Sequence, residues 1–228
     1  MLELQQVVKH YRVSGGEPIR AVDGVSMSAA AGEFVAVYGP SGSGKTTLLE
    51  LIAGTRKPDS GRVLIDGKDI GEMSRGEADN YRLRDLGIID QLDALFPGDR
   101  AIRSACLKLW LTNRRDAEAS VAPLLIRLGL GERLQHRTEE LSMGERQRLA
   151  IARALAINPK IVLADEPTAS LDSGRTSEVL ALLRELCSER GTVTVLATHD
   201  SRAAAFADQV YELHDGQLRP YDVAARRD

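Results

Sequence analysis

The sequence predicts an α/β fold with a mainly parallel core sheet, and three observations predict it. An apolar β-type run, Phe34-Val35-Ala36-Val37-Tyr38, passes through a glycine-rich loop into a helical run that begins at Thr46. Two further apolar runs, Ile161-Val162-Leu163-Ala164 and Thr192-Val193-Thr194-Val195-Leu196-Ala197, flank an amphipathic helix over residues 178–190. Strand, helix and strand in that order make a βαβ unit, whose strands run parallel. The runs are also continuously apolar, as strands buried on both faces require.

The remaining elements follow along the chain. Leu2 to Tyr11 reads as a strand, with a turn at Gly15-Gly16. Ala21-Val22-Asp23-Gly24-Val25-Ser26-Met27-Ser28 alternates apolar and polar residues, the mark of a half-buried strand. The helix after the glycine-rich loop ends near Gly54. Lys57-Pro58-Asp59-Ser60-Gly61 is a turn, and Arg62-Val63-Leu64-Ile65-Asp66-Gly67 is a short strand with its own turn. From about Ser74 to Ile157 the pattern is mostly helical and charged, broken at Phe96-Pro97-Gly98 and at Gly129 and Gly131. Tyr211-Glu212-Leu213-His214-Asp215-Gly216-Gln217-Leu218 reads as a closing hairpin, and residues 224–228 as a frayed end.

Composition narrows the function. The 228 residues suit one large domain, or a core with a sub-domain, and 43% hydrophobic content supports a packed core. Thirty Lys and Arg against 33 Asp and Glu leave a net charge of −3, which argues against a nucleic-acid partner held by bulk positive charge. Cys106 and Cys187 lack metal-ligand spacing and fit a reducing compartment. Met1-Leu2-Glu3-Leu4 does not read as a signal peptide. No apolar run approaches the ~20 residues that cross a bilayer, so membrane association is expected only through a partner.

Gly39-Pro40-Ser41-Gly42-Ser43-Gly44-Lys45-Thr46 completes the pattern G-x-x-x-x-G-K-[ST], between a strand and a helix as that motif requires. Glycines let the backbone wrap phosphate oxygens without Cβ clashes, and the helix N-terminus favours an anion. Lys45 is placed to neutralise β- and γ-phosphates, and the Thr46 hydroxyl to hold Mg²⁺. A nucleoside triphosphate is the expected ligand. Downstream, Ile161-Val162-Leu163-Ala164-Asp165-Glu166 ends a strand in two carboxylates. Ligands of open α/β sheets sit at such strand ends. Asp165 is placed to coordinate Mg²⁺ and Glu166 to act as general base on water. Ser142 and Glu145 have capping-box spacing ahead of a helical run to Ile157, and a capped N-terminus beside Gly144 is also an anion site.

Together these segments resemble the nucleotide-binding subunit of an ATP-binding cassette (ABC) transporter, over nearly the whole chain and in the family's motif order. Residues 39–46 match the Walker A loop, with Thr47 next to it, and residues 161–166 match Walker B with its catalytic glutamate. Leu141-Ser142-Met143-Gly144-Glu145 matches the signature and Ser170-Leu171-Asp172 the D-loop. His199 matches the switch histidine at the γ-phosphate, Gln91 the Q-loop glutamine that reaches the metal, and Tyr11 the aromatic that stacks on adenine.

The resemblance implies a P-loop NTPase (RecA-like) core with a mainly parallel sheet, an antiparallel β subdomain and a helical signature subdomain. Its expected divisions are 1–73, about 74–157 and 158–228. It implies ATP and Mg²⁺ as cofactors, with Asp172 among the nucleotide-binding residues, and an ATP-bound homodimer in which Ser142 and Gly144 act across the interface. It also implies a transmembrane permease subunit docked near residues 91–105, Gln91 to Ala105, at the cytoplasmic face of the membrane.

The chain departs from the family pattern at four places, of which Glu145 in place of the signature glutamine is a common variant. Met143 replaces the first signature glycine, and its side chain is expected either to crowd the phosphate of the opposite copy or to stiffen the loop. Asp90 precedes Gln91 where an aromatic is frequent. Arg100 and Arg103 occupy a segment that usually carries Thr and Glu-Asn, which suggests a docking surface charge-matched to an acidic partner. The lead-in Gly32-Glu33-Phe34-Val35-Ala36-Val37 and the run Leu163-Ala164-Asp165-Glu166-Pro167-Thr168 resemble the branch of lipoprotein-releasing, macrolide-efflux and cell-division cassettes. That branch implies export or extracytoplasmic mechanical work. The alternative is a non-transport regulator of a membrane partner; a soluble ABC protein acting on ribosomes or DNA is disfavoured by the absence of a second cassette.

Overall fold

The computed structural model describes residues 1–12, 14, 16–90, 97–169 and 173–221. Strands β1 (Leu2–Tyr11), β2 (Ile19–Ala29), β4 (Ser60–Ile65) and β5 (Lys68–Asp69) form an antiparallel sheet in the order β2-β1-β4-β5. Strands β3 (Phe34–Tyr38), β6 (Leu86–Ile89), β7 (Ile161–Asp165), β8 (Val193–Thr198), β9 (Gln209–His214) and β10 (Gln217–Pro220) form the second sheet, ordered β10-β9-β3-β8-β7-β6. Every pairing from β9 across to β6 is parallel, and only β10 runs against its neighbour. The helices are α1 (Lys45–Ile52), α2 (Arg75–Arg84), α3 (Ala101–Leu111), α4 (Ala117–Arg127), α5 (Met143–Leu155) and α6 (Ser173–Glu189).

The apolar runs explain the layering. Side chains alternate across a strand, so a strand buried on both faces sends neighbours into different cores. In β7, Val162 and Ala164 join the cluster packed with α3, α4, α5 and α6. Ile161 and Leu163 join the other cluster, which holds α1 and the antiparallel sheet. The phosphate-loop helix is thus sandwiched between the two sheets, and the helical arm lies on the opposite face. Among the described residues, no helix is long and apolar enough to cross a membrane.

One element departs from the sequence reading. Within the stretch read as mostly helical, Leu86-Gly87-Ile88-Ile89 forms β6 and pairs in register with β7, from Leu86 opposite Ile161 to Ile89 opposite Ala164. Four residues are too few to show a period, and the charged α2 stands directly before them. The consequence is functional: Asp90 leaves its strand beside the strand end that carries Asp165. The helix read over 178–190 also starts earlier, at Ser173. Ser74 and Glu77 close a capping box at the start of α2, so that boundary is held by side chains.

Candidate functional site

The loop between β3 and α1 is shaped by its contacts. Gly44 is the N-cap of α1 with φ +105°, and a Cβ there would stand 1.9 Å from the Ala21 carbonyl oxygen of β2. Only glycine fits that conformation and that approach. Gly42, at φ +80°, has nothing within 4 Å of the same construction and faces open space. Lys45 is buried; its Nζ donates to the carbonyls of Gly39 (2.7 Å) and Pro40 (3.0 Å) and lies 3.9 Å from Glu166 Oε1. The cation is therefore tied to both sides of the cleft.

Three strand ends complete the site. Thr46 Oγ1 donates to Asp165 Oδ2 at 2.8 Å. Burial holds the Asp165 carboxyl above its ordinary pKa, opposed by that hydrogen bond and by Lys45, and reinforced by the charges of Glu166 and Asp90. Glu166 has left-handed backbone, φ +48°, and its amide donates to the Ala197 carbonyl at 2.9 Å. Its carboxylate is held from two directions: His199 Nδ1 lies 2.8 Å from Oε1, and Thr198 Oγ1 donates to Oε2 at 3.1 Å. A turn residue in strained conformation, fixed by neighbouring strand β8, points to a carboxylate whose aim matters.

Of the predicted residues, Tyr11, Ser41, Gly42, Gly44, Lys45, Thr46, Thr47, Asp165, Glu166 and His199 line one open cavity of about 670 Å³. Gly39, Pro40 and Ser43 belong to the same loop and do not line the cavity. Tyr11 Oη is 3.5 Å from Thr47 Oγ1, at the limit of a hydrogen bond. Ser142 and Gly144 do not line this cavity. Ser142 caps α5: its Oγ accepts from the Glu145 amide at 3.3 Å, while Glu145 Oε2 accepts from the Ser142 amide at 2.8 Å. Gly144 is buried behind Met143, which is 52% exposed. Gln91 and Asp172, with the rest of the D-loop triplet, lie outside the described residues.

The residues suit a bound polyphosphate with a hard cation. Space opens where a Gly42 side chain would project, and the buried Ser43 Oγ has no hydrogen-bond partner. Thr46 and Asp165 offer oxygen donors at one point, and no group of three or more His, Cys, Asp or Glu that could hold a metal occurs among the described residues. Few protein oxygens is the donor set of Mg²⁺, which keeps waters and substrate phosphates as its other ligands.

Sequence reasoning missed four contributors. Thr198 supports Glu166, and its only signal was its place beside His199 at the strand end. Ile19 and Ala21 form part of the cavity wall, visible only once β2 is paired with β1. Asp90 joins Asp165 and Thr46 along an adjoining groove, because β6 is a strand.

Comparison with known proteins gives consistent results. The sequence model of the ABC transporter family matches residues 22–169. The lipoprotein-releasing system ATP-binding protein LolD of Shewanella frigidimarina (strain NCIMB 400) is 42% identical over 221 residues, 96% of this chain and 92% of that protein. A LolD of Caulobacter vibrioides (strain ATCC 19089 / CIP 103742 / CB 15) is 39% identical over 220 residues, covering 96% of both. The dimeric structure of a bacterial ABC transporter cassette superposes with a TM-score of 0.84 at 34% identity, covering 96% of this chain and 98% of that one. A dimeric post-hydrolysis state of such a cassette, bound to ADP and Pi, gives 0.82 at 35% identity over the same shares.

Proposed function

We infer the role of this chain from one premise: it belongs to the ABC transporter family. It is an ATP-binding subunit of that family and an ATPase. The observation that carries the residue roles is the meeting of three separate segments at one cavity, with Lys45 and Thr46, Asp165 and Glu166, and His199 within its walls.

The loop amides and Lys45 bind the β- and γ-phosphates and balance their charge. Mg²⁺, held by Thr46 and Asp165, would neutralise charge that develops on the phosphate oxygens. Glu166 accepts the proton of the attacking water while its oxygen bonds to the γ-phosphorus and the bond to the β-phosphate oxygen breaks, leaving ADP and inorganic phosphate. Thr198 and His199 keep the Glu166 carboxylate in place. Tyr11 carries the base. Gln91 and Asp172 belong to the same set on the motif resemblance.

Ser142 and Gly144 stand outside the cavity, which supports a head-to-tail homodimer in which each copy supplies them to the other's ATP. ATP closes that dimer and hydrolysis opens it, a two-state element that drives a membrane subunit. The permease docks near residues 91–105, where Arg100 donates to Gln135 Oε1 (2.7 Å) and Arg103 lies 3.6 Å from Asp99 and 5.6 Å from the Trp110 ring centroid. The chain then sits peripherally on the cytoplasmic face. The named relatives favour lipoprotein release as the work performed, with the cargo selected by the membrane subunit.

The test is affinity purification of the Glu166→Gln chain, with ATP, from detergent-solubilised native membranes. Recovery of a membrane subunit with few spans and a large extracytoplasmic domain is expected. A many-span permease would redirect the reading to a conventional transporter, and recovery of soluble partners alone would sink the membrane role.

A further inference from the structure

Tyr11 ends β1 and stands directly opposite Ile19 of β2. Opposed residues in an antiparallel pair project from the same face, and both of these line the cavity mouth. Ile19 is 56% exposed, an apolar, β-branched side chain open to solvent beside an aromatic ring. Behind the ring is a cation: Arg56 Cζ lies 5.4 Å from the Tyr11 ring centroid, at cation–π distance, and Arg56 is not among the residues that line the cavity.

That guanidinium is clamped. Arg56 Nε donates to the Glu50 carboxylate, and its backbone amide donates to the Glu50 carbonyl at 3.3 Å. Thr55 Oγ1 donates to the same carbonyl at 3.1 Å. Glu50 belongs to α1, whose first residues, Lys45 and Thr46, face the phosphate cradle. One helix therefore bears on both the cradle and the ring, which it meets through Thr47 at 3.5 Å from the Tyr11 hydroxyl and through Glu50 and Arg56 at the ring itself.

We propose that Arg56, held by Glu50, is a positioning residue for the nucleotide base: it fixes the Tyr11 ring, beside Ile19, as the surface on which the base stacks. This rests on the reading that the cavity takes ATP with its base on Tyr11. The arrangement acts on affinity for the base-bearing part of the ligand and leaves the phosphate chemistry alone. Every base presents a π-face, so the device discriminates nucleotides from bare polyphosphates more than one base from another.

The experiment measures ATPase kinetics, together with inhibition by inorganic tripolyphosphate, which has the phosphates and no base. Arg56→Ala is expected to raise KM for ATP about 2- to 5-fold with kcat unchanged. Arg56→Lys, which keeps the cation, is expected to restore most of that loss, and tripolyphosphate inhibition is expected to stay as in the parent. Tyr11→Ala is expected to raise KM by about 5-fold or more, and adding Arg56→Ala to it should have no further effect. If Tyr11→Ala raises KM and Arg56→Ala does not, the Arg56 role is wrong while the base platform survives. An equal loss of tripolyphosphate inhibition in Arg56→Ala would also overturn it, since the arginine would then act on phosphates. An unchanged KM in Tyr11→Ala would remove the platform itself.

Discussion

The starts of α1 and α5 are both helix N-termini suited to an anion, yet they are finished in opposite ways. Gly44 caps α1 in a left-handed conformation with no side-chain hydrogen bond, so the amides of that first turn are offered to a ligand. At α5 a full capping box satisfies the Ser142 and Glu145 amides from within, and Glu145 is pinned further by Arg133 at 2.9 Å. The first end leaves its amides open within the cavity of its own chain. The second is closed on itself: Ser142 Oγ accepts from the Glu145 amide, and the Ser142 hydroxyl also bonds the Glu145 carboxylate. One chain thus holds an open helix end and, elsewhere, a helix end closed by its own side chains.

The largest expected effect tests that separation directly. Lys45→Ala should weaken binding of a fluorescent ATP analogue to the isolated chain by about 100-fold or more, because it removes a buried charged donor. Ser142→Ala should leave this affinity unchanged and reduce ATP-driven dimerisation instead. Equal losses of affinity would erase the distinction between the two ends.

Mixing sharpens it. A Lys45→Ala copy retains Ser142, and a Ser142→Arg copy retains Lys45, so their mixed dimer has one intact composite site. ATPase activity of the mixture should exceed that of either variant alone by about tenfold or more. No recovery on mixing means that Ser142 does not act in trans.

Met143 sits where the two regions would meet. Restoring glycine by Met143→Gly should raise kcat about 2- to 5-fold if the exposed side chain crowds the opposite phosphate; an unchanged ATPase rate would rule the crowding out.

The smallest effect concerns α5 alone. The hydrogen bond from Arg133, then that from the Ser142 amide, brings the Glu145 pKa down from 4.5 to about 2. A lowered carboxylate pKa adds stability above the unfolded value, and that stability is lost as pH falls from 4.5 towards about 2. The pair is partly solvent-screened, so Glu145→Gln should cost about 0.5–1 kcal/mol at pH 7. Denaturation curves of the two proteins should converge as the pH is lowered through that window; a gap that persists below it would assign the effect to something other than ionisation.

Much of the fold and of the cradle was legible in the sequence, for physical reasons. The runs at Phe34, Ile161 and Val193 are continuously apolar because both faces are buried, and residues 39–46 carry their chemistry in consecutive positions. What escaped depends on residues distant in sequence. Strand β6 is too short to show a period, and its identity comes from pairing with Ile161. Thr198 supports Glu166 across two strands, and Arg56 reaches Tyr11 only after α1 is laid between the sheets. Local pattern discloses local chemistry; support arrives through the tertiary structure.

The phosphate loop is wedged between the first strands and the last. A Cβ at Gly39 would stand 2.4 Å from the Leu213 carbonyl oxygen in β9, and one at Gly216 would stand 2.2 Å from that of Arg20 in β2. Strand β3 itself is flanked by β8 and β9. Proteins are synthesised from the N-terminus, so residues 39–46 leave the ribosome long before the strands that wall them in. A nascent chain stopped short of β9 therefore carries the entire phosphate-binding motif without the walls that shape it. The motif is therefore complete in the chain by residue 46, while one of the walls that shape it arrives only with β9.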